Sequence, residues 1–512
     1  LLSYSTFNPA VTVDLSVNTA TGFNSVLGMN DITGGSAADS LTGDDTPNEI
    51  TGLGGDDTLT GLDGDDIYVF EEDWSDALGD SVVEVALGGN DTIDFSALTS
   101  DLTFAIASIS VTDGNGNLMH HLDANIEKLI GGSGTDILNF SGYGSGVEIS
   151  LNGISALAVG SGFSGSALNF EFDNLNGLIG SSFADTLTGL DAAATWAVTG
   201  ASTGSYTLAS DPAALIFDGF ESLVGGNIND TLTFVAFSTP RQIAVASIGS
   251  VDGFDITEAS FNGVFKSINT LIGSGSTSDI LNGLDALSTF NLQPLNIEYI
   301  STNTLVITAV ENLNGGNQSD TFNIADGAAL SGNVDGGAGS DTLNYSAYTS
   351  ALIVTLGTSG TSGWNGSSSG LGSFSNIDVI NGGTTSNALI GADLPAQWGL
   401  DSTHAYSASG QTLTFSFSGF QTLTGGILTD TFQVVGDQTV DLNGGAGDDT
   451  FSLAHDATLT GDVAGGAGSD TFSYAAWTSS VTANLFTLAL DHYSGTLSNV
   501  ENLTGGAGND TL

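Results

Sequence analysis

Residues 34–42, 43–51, 52–60 and 61–69 read GGSAADSLT, GDDTPNEIT, GLGGDDTLT and GLDGDDIYV, four successive nonapeptides that each open on glycine. Their sixth positions hold Asp39, Asn48, Asp57 and Asp66, and their eighth hold the apolar Leu41, Ile50, Leu59 and Tyr68. Glycine permits the left-handed backbone that tight turns need, and the recurring apolar position gives each unit something to bury against its neighbours. A fixed short period of this kind marks a repeat architecture, in which stacked coils share one continuous core.

The Gly-Gly…Asp-Thr-apolar element returns throughout the chain, at Asp91, Asp136, Asp185, Asp230, Asp279, Asp320, Asp341, Asp430, Asp449, Asp470 and Asp510, with Asn387 in the same slot. Three spacings occur: nine residues in 34–69, about twenty from Asp320 to Asp341 and from Asp430 through Asp449 to Asp470, and 40 to 49 from Asp136 through Asp185 and Asp230 to Asp279. Coils of roughly twenty residues account for the last two, with the long steps spanning two coils. A larger unit of 90 to 110 residues is carried by GLDAAATWAVTG (189–200), GLDALSTFNLQP (283–294) and GADLPAQWGLDS (391–402), each followed by a strand-like run and then another Gly-Asp turn.

Between turns, apolar and polar residues alternate, as in TLTFSFSGFQTLTG (412–425), the two-residue period of a half-buried strand. Helical periodicity with caps is missing, and 72 glycines would weaken helices. The expected fold is all-β, a right-handed parallel β-solenoid or β-roll of tandem repeats. Its expected segments are 1–69, a junction with following coils at 70–130, repeat units at 131–234, 235–324 and 325–434, and the start of a further repeat at 435–512. The final VENLTGGAGNDTL stops in mid-repeat, so the array is expected to continue beyond both ends.

Composition narrows function. Fifty-eight acids face three bases, Lys128, Lys266 and Arg241, for a formal net charge of −55. Such a chain repels nucleic acid and anionic membranes, and no apolar run approaches the length of a membrane span. Self-repulsion on compaction is relieved by screening or bound cations. Cysteine is absent, which removes disulfides and thiolate metal sites.

The nonapeptides at 34–69 resemble the hemolysin-type (RTX) calcium-binding repeat, with its G-G-x-G-x-D-x-U-x pattern. Departures are Ala37 and Thr46 at position four, Pro47 before Asn48, and frequent replacement of the second glycine. The resemblance implies a parallel β-roll with two nonapeptides per coil and calcium between successive turns on one edge. It thereby implies pairing of Asp39 with Asp57 and of Asn48 with Asp66. Calcium takes six to eight oxygen ligands, and a glycine-rich turn exposes carbonyls while one Asp adds charge. The candidate calcium ligands are Asp39, Asn48, Asp57, Asp66, Asp320, Asp341, Asp430, Asp449, Asp470 and Asp510. The competing role for these side chains is capping of backbone amides without metal.

No enzyme is expected. The histidines His120, His121, His404, His455 and His492 have no zinc spacing, three cations are too few for a uronate lyase, and pairs of acids arise by chance among 58. Trp74, Trp196, Trp364, Trp398 and Trp477 read as packing residues rather than sugar platforms. The family resemblance further implies a bacterial, type I secreted protein that folds in external calcium. The functional expectation is an extracellular or cell-surface structural protein, such as an adhesin stalk, surface-layer, filament or matrix component, whose partners are calcium, other copies of itself or surface polysaccharide. The alternatives are the repeat region of a secreted enzyme or toxin, and a carbohydrate-binding solenoid.

Overall fold

In the computed structural model the described residues are 1–72, 74, 79–85, 88–114, 118–120, 125–157, 162–484, 487 and 489–511. Among them every regular element is a β-strand, and parallel pairing dominates, as in a β-solenoid. No helix among these residues is long and apolar enough to cross a membrane. The chain forms two compact units, Leu1–Phe237 with Ile248–Thr270, and Ser238–Ser247 with Leu271–Leu512.

In the first unit the nonapeptides wind as expected. Each supplies one strand of three residues, and consecutive strands fall alternately into two sheets. Ser40–Thr42 pairs in parallel with Thr58–Thr60, placing Leu41 beside Leu59, while Glu49–Thr51 pairs with Ile67–Val69, placing Ile50 beside Tyr68. All four apolar positions are fully buried. Strands this short fix few backbone hydrogen bonds each, so the rows of inward side chains hold the coils in register.

The long steps between turns differ from two plain coils. After a short strand in one sheet the chain enters the other sheet, runs three antiparallel strands there, and returns. Glu148–Ile154, Phe163–Ala167 and Phe170–Leu175 form one such meander. Its first strand pairs in parallel with the later Thr186–Thr188, and its last with the earlier Ile126–Ile130. The chain therefore steps forward and folds back to fill the gap. Ala194–Val198, Gly204–Leu208 and Asp211–Asp218 repeat this in the opposite sheet. In the second unit Thr289–Leu292, Ile297–Ile300 and Thr304–Thr308 do the same, as do Ala396–Leu400, Ala405–Ala408 and Phe415–Ser418. Plain coils return at Asp320–Asp341 and Asp430–Asp470, where one amide bonds a carboxylate 19 or 21 residues on.

Three of these meanders share one core device. Trp196 packs on Tyr206, Phe290 on Tyr299 and Trp398 on Tyr406, with ring centroids 4.5, 4.8 and 4.6 Å apart. Each tyrosine hydroxyl accepts the amide N–H of Leu190, Leu284 or Ala392, so the phenol ties the meander to the preceding turn. All five tryptophans are buried, which leaves them no sugar-facing surface and bears out their packing role.

Candidate metal centre

The acidic slot of the repeat turn is the first residue of a strand or the one before it, and its side chain points inward. Asp39, Asn48, Asp57, Asp66, Asp320, Asp341, Asp430, Asp449 and Asp470 are each at most 4% exposed. Asp510 is exposed, although it accepts the same kind of bond, from the Val481 amide.

Stacking turns these side chains into ladders. The amide of Asp39 donates to Asp57 Oδ1 at 2.6 Å, and that of Asn48 to Asp66 Oδ1 at 2.7 Å, joining the two pairs that the family resemblance implied. Asp320 bonds Asp341, Asp430 bonds Asp449, and Asp449 bonds Asp470 in the same way, each at 2.8 Å. The turns with no near neighbour in sequence are capped across coils too. Asp136 accepts from Leu102, Asp185 from Val147 and Asp279 from Arg241.

The ladders extend through residues that the turn motif does not reveal. Asp57 donates its amide to Asp80 Oδ1 and Asp66 to Asp91 Oδ1. Asp80 sits in GDSVV, which lacks the double glycine. Glutamates carry the ladders on: Asp91 bonds Glu127, Asp185 bonds Glu221, Asp279 bonds Glu311 and Asp470 bonds Glu501. Their signal is a recurring apolar-Glu-x-Leu string, IEKL, FESL and VENL, and where the slot holds Asn387 the string is FQTL and Gln421 is the acceptor.

One bond per carboxylate leaves the second oxygen to account for. In Asp57, Asp66, Asp91, Asp320, Asp341, Asp449 and Asp470 a buried Oδ2 has no hydrogen-bond partner. It faces other oxygens. A β-carbon built on Gly336 would lie under 3.0 Å from both Asp341 Oδ2 and the Asn376 carbonyl oxygen. At Gly315 the corresponding pair, under 3.0 Å away, is Asp320 Oδ2 and Gly336 O, and at Gly444 it is Asp449 Oδ2 and Gly465 O. The first glycine of the turn thus opens a cradle in which a carboxylate oxygen and the carbonyl of the next coil converge.

The exceptions define what such a cradle needs. Asn387 donates its amide Nδ2 to Gly383 O and Gly419 O, each at 2.8 Å, and Asn48 donates to Asn30 O at 2.8 Å. An amide supplies hydrogens to the carbonyls, whereas an aspartate presents a second lone pair. Asp39 satisfies its Oδ2 with the Gly35 amide, whereas Asp430 takes the Gly426 amide on Oδ2 and leaves its buried Oδ1 without a hydrogen-bond partner. Elsewhere a proton or a cation must stand between the oxygens, because an ionised carboxylate with a dry, unpaired oxygen is costly.

The electrostatics agree. Burial first, and neighbouring acids with it, hold the Asp57, Asp320 and Asp430 carboxyls up at about 7 and those of Asp66, Asp341 and Asp449 at about 6, against the lowering effect of the backbone amides. Oxygen-only donors, carboxylate together with carbonyl, are the set that hard cations such as calcium prefer, so the residues present fit that ion.

Among the described residues the histidines form no comparable group. His404 stacks on Phe417 and meets Gln438, His455 lies by Asp456 and Thr478, and His492 packs on Trp477. His121 and the His120 side chain lie outside the described residues.

Fold and site together define an all-β repeat solenoid threaded by ladders of buried carboxylates. No protein-family model matches the chain, and no curated protein matches it.

Proposed function

We propose that this is an extracellular calcium-binding structural repeat protein, of the hemolysin-type repeat kind, working as a stalk, surface-layer, filament or matrix component. The observation that carries the proposal is the row of buried aspartate oxygens that accept no hydrogen bond, of which those of Asp320, Asp341, Asp449 and Asp470 gather with a backbone carbonyl about the first glycine of the turn. Calcium entering those cradles neutralises the carboxylate and joins one coil to the next. A site assembled from two turns exists only when they are stacked, so the binding energy is folding energy. With a formal charge of −55 the metal-free chain resists compaction, and each bound ion offsets two charges. Affinities of about 10⁻⁴–10⁻³ M, usual for extracellular modules, would couple folding to external calcium.

The test is a calcium titration of the chain, from chelator to about 10 mM, followed by circular dichroism and light scattering, with magnesium as control. Gain of β-structure and compaction with calcium alone is the expected result. A chain equally folded in chelator, and unmoved by calcium, would make the carboxylates metal-free caps and end the proposal.

A further inference from the structure

Where the nonapeptides of the first unit give way to its meanders, the ladder differs in kind. Asp66, just before Ile67–Val69, and Asp91, the first residue of Asp91–Asp94, are consecutive members of a ladder entering one sheet. Glu84 follows Asp80–Val83, a strand of the other sheet, and its carboxylate reaches the same place. One oxygen from each of the three acids lies within 4.8 Å of the others, and all three residues are buried.

Two independent features aim this cluster at a ligand. Asp66 Oδ2 and Asp91 Oδ2 are buried, in residues 0% and 1% exposed, and neither accepts a hydrogen bond. A β-carbon on Gly61 would fall under 3.0 Å from Asp66 Oδ2, Glu84 Oε1 and the Tyr68 hydroxyl, so glycine holds open the spot on which those oxygens converge. Tyr68, wholly buried, donates its phenol O–H to Glu84 and holds that carboxylate in place. The charges acting on Asp66 come from other acids, Asp91, Asp44 and Asp65.

We propose that Asp66, Glu84 and Asp91 form a discrete, high-affinity site for one hard divalent cation, calcium above all, that fills before the repeated carboxylate–carbonyl cradles and clasps the two sheets where the nonapeptide coils end. Its rank over the cradles rests on the function proposed above; the site itself stands on its own geometry. Three carboxylates concentrate more charge than the single aspartate of a cradle, and charge count and rigidity are what raise calcium affinity in oxygen sites. The absence of nitrogen and sulfur donors turns the site away from zinc and copper.

The test uses the full chain stripped of metal and titrated separately with calcium, by calorimetry, and with terbium, by luminescence excited through tyrosine. The expected result is a tight class of one ion per chain, with sensitised terbium emission from the first equivalent that drops in Tyr68→Phe. Glu84→Gln, which keeps the shape and the bond from Tyr68, should weaken that class by at least about tenfold and leave the weaker class intact. Asp91→Asn provides a second variant, and circular dichroism in chelator checks that both fold like the parent. An unchanged tight class in folded Glu84→Gln overturns the site while the cradles stand. One tight ion lost in Glu84→Gln, with no weaker class at all, upholds the site and sinks the cradles. No ion bound anywhere overturns both.

Discussion

At Asp449 three roles meet in one side chain. Oδ1 accepts the Asp430 amide, the Asp449 amide donates onward to Asp470, and Oδ2 faces the Gly465 carbonyl without a hydrogen. Asparagine there would keep the first two and supply the missing donor, as Asn387 does in its own turn. Asp449→Asn should therefore stabilise the calcium-free protein, by about 1–2 kcal/mol for one relieved buried acceptor, while shrinking the rise in Tm that calcium produces. Thermal melts in chelator and in calcium read both. A variant less stable in chelator would mean that the aspartate is already satisfied without metal. The neighbouring glycines work by different means. Gly444 leaves room for the oxygens, whereas Gly445 and Gly447 adopt φ of 98° and 114°, which side chains disfavour. Leu53 and Leu62 accept such angles, 69° and 80°, at the place of the second glycine, which shows that the turn geometry persists where the glycine pattern lapses.

Plain coils and meanders differ in what holds them. Between residues 40 and 69 the strands are three residues long, and each turn carries a carboxylate or its amide counterpart. The meander strands run to eight residues in Asp211–Asp218, and their cores carry the aromatic pairs such as Trp196 with Tyr206. Longer strands and large buried rings stabilise without metal. In chelator, hydrogen exchange should be fast over 34–69 and 430–473 and slow over the meanders, and calcium should protect the plain coils selectively. Uniform protection in chelator would remove the distinction. Within a meander, Trp398→Ala should cost about 3–5 kcal/mol, as for other buried tryptophans; its denaturation midpoint measures this.

For the whole chain, the same carboxyls make calcium and protons rivals. The folded pKa values of Asp57, Asp230, Asp320 and Asp430 stand near 7, raised first by burial, against about 3.9 in an unfolded chain. The folded state then binds more protons than the unfolded one between these values. Stability without metal is accordingly full below about pH 4 for these groups and falls as pH rises through 7. Calcium-free melts from pH 4.5 to 8 should show Tm falling with pH across that window, and calcium should flatten the curve. Calcium uptake at pH 6 should release protons, and at pH 8 almost none; pH-stat titration measures the difference. A calcium-free Tm that rises with pH over this range would contradict the buried, unpaired state of the acids.

Residues 34–69 contain enough to specify their own coil. A nine-residue period, glycines at the turns and one inward apolar side chain per unit admit few other solutions, and the pairings of Asp39 with Asp57 and Asn48 with Asp66, which the family resemblance implied, are present in the structure. All-β character was likewise legible, because alternation and glycine content are local properties. The three-stranded meanders were not, since a strand of alternating residues carries no mark of whether its neighbour runs parallel or antiparallel. That choice is made by the gap that the forward step leaves between coils and by the ring pairs that fill it. Nor did local sequence reveal Glu84 beside Asp66 and Asp91. Its oxygens reach them from a strand of the other sheet, and only the closing of two sheets around a shared interior brings those three charges together.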